Sequence, residues 1–412
     1  MGRLEGIRTA STVVAVLILG VGSPSVGTEG PTVCVKTIHV DALSGTLESF
    51  DLENGLVLNG QGQPPTKIPP SDVVRIATLV HRTPPDPAAL CWVLTNGDIL
   101  HASFLSGTER TVTLRREDLG PIELPVTRLS EIVAGGHRAS HPDDEVRSVT
   151  SRPVADDEIV LANGDQLTGL IERIDSNGLT IDIGRARATI RLDVVRWVRL
   201  ARSSPATTQA EGAHPLRALL TLRDGSTLTA SLLQWRGGEL GVQPEWGPQT
   251  TPKRLRADRV VRMEILGGRW QWLDARPPRV AEHTPLLDVR WPHRVGRNVL
   301  GRPLRVGARL YDRGIGVHSA SRLIYSLNET DERFVTSYGM DDDSGPLAHV
   351  EVKVLLDGKP VHHAPDVRAD GQIRHLSVEI RGARQLELRV DFGKNGDVQD
   401  RFDWIEPAIL RR

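Results

Sequence analysis

The sequence predicts an all-β chain: several small SH3-like barrels in a row, followed by a β-sandwich. Three observations predict it. Short apolar runs alternate with polar residues at period two, the spacing of strands with one buried face. One such run recurs with its turn over the first two thirds of the chain. From about Glu282 the text leaves that repeat, aromatic residues return and glycines cluster.

Composition sets the outer bounds. The 412 residues are 39% hydrophobic, 25% charged and 4% aromatic, which is enough apolar material for packed cores in roughly two to four domains. With 51 basic against 52 acidic residues the net charge is −1. A nucleic-acid protein needs a basic surface to neutralise phosphates, so that class is excluded, as is a polybasic membrane anchor. The basic residues are 45 arginines and 6 lysines, scattered rather than clustered.

At the start, Arg3 and Arg8 precede an uncharged apolar run from Ser11 to Gly22, followed by small residues to Gly27. That is the layout of a secretory signal peptide over residues 1–27; the alternative is an uncleaved N-terminal anchor. The run is short of the ~20 residues a bilayer span needs, and no later stretch approaches it. The mature chain is therefore expected to be secreted, periplasmic or in the cell envelope, without a transmembrane segment. In that setting Cys34 and Cys91 are able to pair, and the sequence leaves both outcomes open.

The repeat is clearest at Val93-Leu94-Thr95-Asn96-Gly97-Asp98, returning at Val160-Leu161-Ala162-Asn163-Gly164-Asp165 and at Thr221-Leu222-Arg223-Asp224-Gly225. A degenerate first copy begins near Ile38. Asn-Gly and Asp-Gly accept the positive φ of tight hairpin turns. Successive copies are 67 and 61 residues apart, long for a solenoid and suited to separate five-stranded barrels, which leave few open edges. The expected units are 32–80, 90–135, 157–201 and 216–267. Spacers rich in Pro, Ser or polar residues fall between them, at 82–88, 135–156 and 202–215. The few aromatic residues predict aliphatic barrel cores. Asp98, Asp165 and Asp224 recur beside glycine and are read as turn-formers, since a metal site needs more oxygen ligands nearby.

The last segment carries Gly314-Ile315-Gly316-Val317-His318-Ser319, Gly339-Met340-Asp341-Asp342-Asp343, the turn Asp357-Gly358, and Asp400-Arg401-Phe402-Asp403-Trp404. Val350, Val352 and Val354 alternate, as do Leu386, Leu388 and Val390, which predicts antiparallel strands of a sandwich. In combination these motifs resemble the NPCBM family, the novel putative carbohydrate-binding modules, over about residues 282–411. The resemblance implies a galactose-binding-like jelly roll, sugar recognition and, in some members, a calcium ion.

Sugar recognition needs an apolar plate for C–H faces and planar polar groups for hydroxyls. The candidates are Trp291, Tyr311, His318, Arg322 and Asn395, with Tyr338 after them. His318 either meets sugar or satisfies a backbone carbonyl, and Asn395 is also a turn residue. Asp341, Asp342, Asp343, Asp400 and Asp403 are the candidate oxygen ligands for structural Ca2+, the alternative being a solvated turn; Trp404 is read as core. No nucleophile elbow, H-E-x-x-H, P-loop or dinucleotide fingerprint is present, and no catalytic-sized domain accompanies the acidic cluster. The expected function is non-catalytic glycan binding, with the barrels as spacers or as docking units for an envelope protein. The alternative is an envelope scaffold that binds no sugar.

Overall fold

The computed structural model describes residues 30–40, 42–60, 64–134, 155–201, 215–246, 252–286 and 289–412. The leader-like segment 1–27 and nearly all of the spacers 135–156 and 202–215 lie outside the described residues.

Each repeat folds as a five-stranded barrel. The first comprises β1 (Thr32–Thr37), β2 (Leu43–Asp51), β3 (Gly55–Asn59), β4 (Thr66–Ile68) and β5 (Val73–Thr78). The second comprises β6 (Leu90–Leu94), β7 (Ile99–Gly107), β8 (Thr111–Arg116), β9 (Gly120–Pro125) and β10 (Leu129–Val133). The third comprises β11 (Asp157–Leu161), β12 (Gln166–Asp175), β13 (Gly178–Asp182), β14 (Arg187–Ile190) and β15 (Val195–Arg199). The fourth comprises β16 (Arg217–Leu222), β17 (Thr227–Arg236), β18 (Glu239–Pro244), β19 (Lys253–Arg256) and β20 (Val260–Leu266).

Two local features make the strands close. The second strand of every copy slips register near its middle, at Leu47/Ser49, Phe104/Ser106, Ile171/Arg173 and Ala230/Leu232. A slip of this kind bends and twists a strand, so one long strand serves both sides of the barrel. A single 3-10 turn then carries the chain from the fourth strand to the fifth, which pairs back onto the first. The cores are not purely aliphatic: Trp92, Trp235 and Phe50 are fully buried among Leu, Ile and Val.

The barrels are not beads on a string. The fifth strands of the first and fourth pair antiparallel, Glu264 opposite Arg75 and Met263 opposite Ile76. Those of the second and third do the same, Ile132 opposite Val198. The spatial pairs are therefore one with four and two with three. Across the pairs, buried Asp98 accepts the Thr229 amide at 2.9 Å and its hydroxyl at 2.8 Å. Asp224 holds Arg116 at 2.9 Å, and Arg116 also donates to the His101 carbonyl. Of the three recurrent aspartates, Asp165 is exposed and is bonded to its own turn at Asn163. Cys34 and Cys91 lie on separate barrels, in β1 and β6, and form no disulfide.

The sandwich begins earlier than residue 282. Its elements are β21 (Trp270–Trp272), β22 (Val280–His283), β23 (Arg294–Val295), β24 (Leu304–Val306), β25 (Arg309–Tyr311), β26 (Gly314–His318), β27 (Ser321–Ser326), β28 (Asp331–Met340), β29 (His349–Leu356), β30 (Lys359–Arg368), β31 (Arg374–Glu379), β32 (Gln385–Phe392) and β33 (Arg401–Arg411). One sheet runs β23-β26-β33-β28-β31, with β21 also on β33; the other runs β22-β27-β32-β29-β30. The two inner faces enclose Val350, Val352, Val354, Leu386, Leu388, Val390, Phe402 and Trp404. This is the two-sheet β-sandwich that the alternation predicts, and Trp404 is core.

Barrels and sandwich meet through a buried ion network. Between Val335 and Ser337 the pairing of β28 with β33 slips, and Glu406 on β33 there has φ 47°. The bulge turns its carboxylate toward the first barrel, where it meets Lys36 and Arg75 at 2.8 Å each. Glu264 of the fourth barrel holds Arg313 of the sandwich, which also pairs with Asp274 at 2.8 Å. Burial alone would raise Glu406, but Arg75 and Lys36 outweigh it and hold the carboxyl at about 2.

A group whose folded pKa is depressed stabilises the fold above its unfolded pKa and loses that contribution as pH falls. Glu406→Gln is therefore expected to cost about 2 kcal/mol at pH 7, allowing for its partial exposure. The cost should shrink steadily as pH drops from 4.5 toward 2. Chemical denaturation of both proteins across that range checks it; a pH-independent difference would contradict the assignment.

Candidate functional site

One end of the sandwich gathers four chain segments. Strand β26 ends at His318, and a tight turn through Ala320 (φ 58°) enters β27. Gly316 makes this possible, because a Cβ there would lie 2.4 Å from the Arg297 carbonyl. The stretch after β22 folds back over the turn, Thr284 donating to the Ala320 carbonyl at 3.0 Å. The loop from Gly393 to Asp400 supplies the third wall, and residues 345–349 the fourth. A Cβ at Gly393 would strike His349 at 2.2 Å, so that glycine sets the close approach of the last two.

Within this end the rings of Trp291 and His318 are stacked, centroids 5.5 Å apart and planes 13° from parallel. His283 meets His318 edge-on at 5.9 Å, and its Nδ1 accepts the Trp291 amide at 3.2 Å. His318 is buried, while Trp291 is half-buried. Burial, and then the neighbouring His283, push His318 down to about 4. It is therefore neutral at physiological pH and able to share hydrogen bonds without carrying a charge. Burial raises Asp400 to about 6, against the His349 amide it accepts at 2.9 Å. Asn395 is exposed and donates to the Leu347 carbonyl at 2.7 Å. Leu286, Leu347 and Val398 are exposed on the same segments, and Leu286 lies beside Gly396.

Of the five residues proposed from sequence for sugar contact, Trp291, His318 and Asn395 fall on the segments that form this end. Tyr311 and Arg322 do not join them. Tyr311 packs against Leu304, Val306 and Ile405 behind the sheet. Arg322 lies on the outer face of β27, paired with Glu282 at 3.2 Å and Glu387 at 3.1 Å. Strand parity explains the latter: Arg322 alternates with the inward-facing Leu323. Tyr338 is buried, its hydroxyl 2.8 Å from His362. His283, and Asp397 whose charge acts on His318, escaped the sequence reading because one is a lone polar residue ending β22 and the other lies in a loop, with no spacing to mark either.

Of the five candidate calcium ligands, Asp341, Asp342, Asp343 and Asp403 lie near one another and Asp400 stands apart. Asp341 accepts Asn298, Asp343 and Arg305 N–H groups, and Asp342 the amides of Gly307 and Ala308, both at 2.8 Å. Asp343 is held by Asn298 and Arg302. Asp403 is fully buried against Asp341, and burial with that contact raises its pKa well above the carboxylate range. Asp400 belongs with His349 instead. Among the described residues no group of three or more His, Cys, Asp or Glu is arranged to hold a metal ion. The oxygens of Asp341 and Asp342 accept N–H donors, whereas both Asp403 oxygens and one of Asp400 are buried without a hydrogen-bond donor.

Residues 270–410 match the NPCBM/NEW2 domain. The NPCBM match starts at β21 and takes in the whole sandwich, including every segment of the site. A Renibacterium salmoninarum protein named "Putative endo-alpha-N-acetylgalactosaminidase" is 26% identical over 110 residues. That stretch is 27% of this chain and 7% of the relative, so the chain spans a small fraction of that protein's length. Among solved structures, a CBM51 from Clostridium perfringens GH95 in complex with methyl-galactose is 22% identical, with a TM-score of 0.32. It covers 34% of this chain and 99% of that one. Tandem CBM51 modules of a family 98 glycoside hydrolase from Streptococcus pneumoniae are 13% identical, covering 66% of this chain and 92% of theirs, also at 0.32. No helix among the described residues is long and apolar enough to cross a membrane.

A histidine with a folded pKa near 4 destabilises the fold as pH falls below the ordinary value, because the unfolded chain takes up the proton first. The ring signals of His318 are therefore expected to stay those of neutral imidazole from pH 8 down to about 5. Titration followed by NMR checks this, and a midpoint near 6.5 would mean that the ring is solvated rather than stacked under Trp291.

Proposed function

We propose that the chain is a non-catalytic glycan-binding protein that acts outside the cytoplasm, in the envelope or in the medium. Its site is the sandwich end around Trp291. The observation that carries this reading is the Trp291–His318 stack, with Asn395 on another segment of the same end, inside the segment that matches the NPCBM/NEW2 domain. The ring of Trp291, on an end that also exposes Leu286 and Val398, offers a flat surface for the C–H face of a pyranose. Asn395 and Asp397 offer planar polar groups for its hydroxyls, and the stack under Trp291 keeps the plate from collapsing.

In this reading the four barrels are a platform. The first and fourth barrels pair with one another and meet the sandwich through the buried ion network, so a glycan held at the sandwich end is held at a fixed distance from whatever the barrels dock on. Catalysis is not part of the proposal.

An array of galactose-, N-acetylgalactosamine- and N-acetylglucosamine-terminated glycans, probed with the full chain, tests the reading. Saturable binding to one class is expected. Trp291→Ala should weaken it at least about a hundredfold, near 3 kcal/mol, while Arg322→Ala and Tyr311→Phe leave it within a factor of about three. Silence from the folded chain, or equal losses in all three variants, would favour the envelope scaffold without a sugar site.

A further inference from the structure

A cavity of about 400 Å³ lies where the first barrel meets the sandwich, remote in the fold from the Trp291 site. One wall is the end of β1 and the loop after it, from Lys36 to Val40; the other is made by Trp270, by Ser337 on β28, by His375 and Ser377 on β31, and by Glu406. Residues 36–40 lie outside the segment that matches the NPCBM/NEW2 domain, so this cavity exists only because barrel and sandwich are joined in this chain.

Its chemistry is selective. The charges are already paired: Lys36 with Glu406 at 2.8 Å, and His39 near Asp72 at 3.8 Å. The lining therefore offers little net charge to an ion. What it offers is hydrogen-bonding capacity on planar or small groups. The Glu406 carboxylate, two imidazoles and the hydroxyls of Ser337 and Ser377 face a space whose remaining walls are Ile38, Val40, Leu376 and Trp270. His375 and Ser337 hold one another at 2.8 Å, in a pair that is exposed rather than buried. A volume of this order sits at the small end of the range for ligand sites. Mixed apolar and neutral polar walls fit a small polyhydroxylated molecule better than a peptide or a phosphate.

We propose that this joint is a second saccharide subsite, taking one neutral pyranose residue. The proposal rests on the glycan-binding reading above but uses different residues, so the two fail separately. Two sites of modest affinity on one rigid body would add avidity toward a branched or repeating glycan.

The test uses the full chain, labelled at tryptophan indole nitrogens and titrated with methyl galactoside and then with N-acetylglucosamine. With either sugar, the Trp270 indole signal is expected to move saturably, and to move equally in Trp291→Ala. The double variant Ser337→Ala/His375→Ala, which alters only an exposed pair, should weaken the Trp270 response at least about tenfold and spare that of Trp291. Movement of Trp291 alone with both sugars overturns the joint site and leaves the end site standing. Movement of Trp270 alone supports the joint site and removes the end site. Movement of neither with either sugar overturns the joint site, and the array decides the end site independently.

Discussion

The ring of Trp272 lies between the guanidinium groups of Arg75, from the first barrel, and Arg313, from the sandwich, at 5.4 and 5.0 Å. Around it Glu264, Asp274 and Glu406 balance those cations. Few of these charges could stay in place alone, because a buried charge without a partner costs several kcal/mol. Their mutual pairing makes the joint specific: the fourth barrel, the first barrel and the sandwich each contribute a member, and removing any one strands the others. The ring adds an apolar wall and a cation–π surface at the centre of this polar seam. The orientation of the whole sandwich on the barrels follows from it.

The same logic works at smaller scale between the barrels. Four copies of one five-stranded unit are joined in pairs by their fifth strands, and the pairs by side chains of the hairpin turns. Asp98 illustrates how a repeated residue takes on different work. In the third copy its counterpart Asp165 only supports a turn, whereas Asp98 is buried under the fourth barrel and satisfies the Thr229 amide and hydroxyl. The turn chemistry is local and the latch is not.

That difference marks how far the sequence could be read. Strands with a turn glycine and period-two spacing, such as Val160 to Ile171, were legible because one buried face and one tight turn specify them locally. The pairing of barrel one with four was not, since β5, β10, β15 and β20 carry the same alternation and nothing in it selects which fifth strand pairs with which. In the sandwich, Val350 to Val354 and Leu386 to Val390 announced the core. The candidate site was half legible. Trp291, His318 and Asn395 are marked by residue type beside glycine-rich bends, and three loops bring them to one end. Arg322 and Tyr311 carry equally suitable chemistry but sit on the wrong face of their strands. The aspartate run divides its work in the fold: Asp341 and Asp342 accept backbone amides, and Asp343 accepts the side chains of Asn298 and Arg302.

The glycan reading makes the Trp291–His318 stack the centre of function, and the most direct measurement is a crystal structure of the full chain with the glycan it binds most strongly. The account predicts a pyranose ring lying against Trp291, with Asn395 or Asp397 within hydrogen-bonding distance of its hydroxyls and no direct contact to Arg322 or Tyr311. A sugar bound only on the outer face of β27 beside Arg322, with the sandwich end empty, would contradict it.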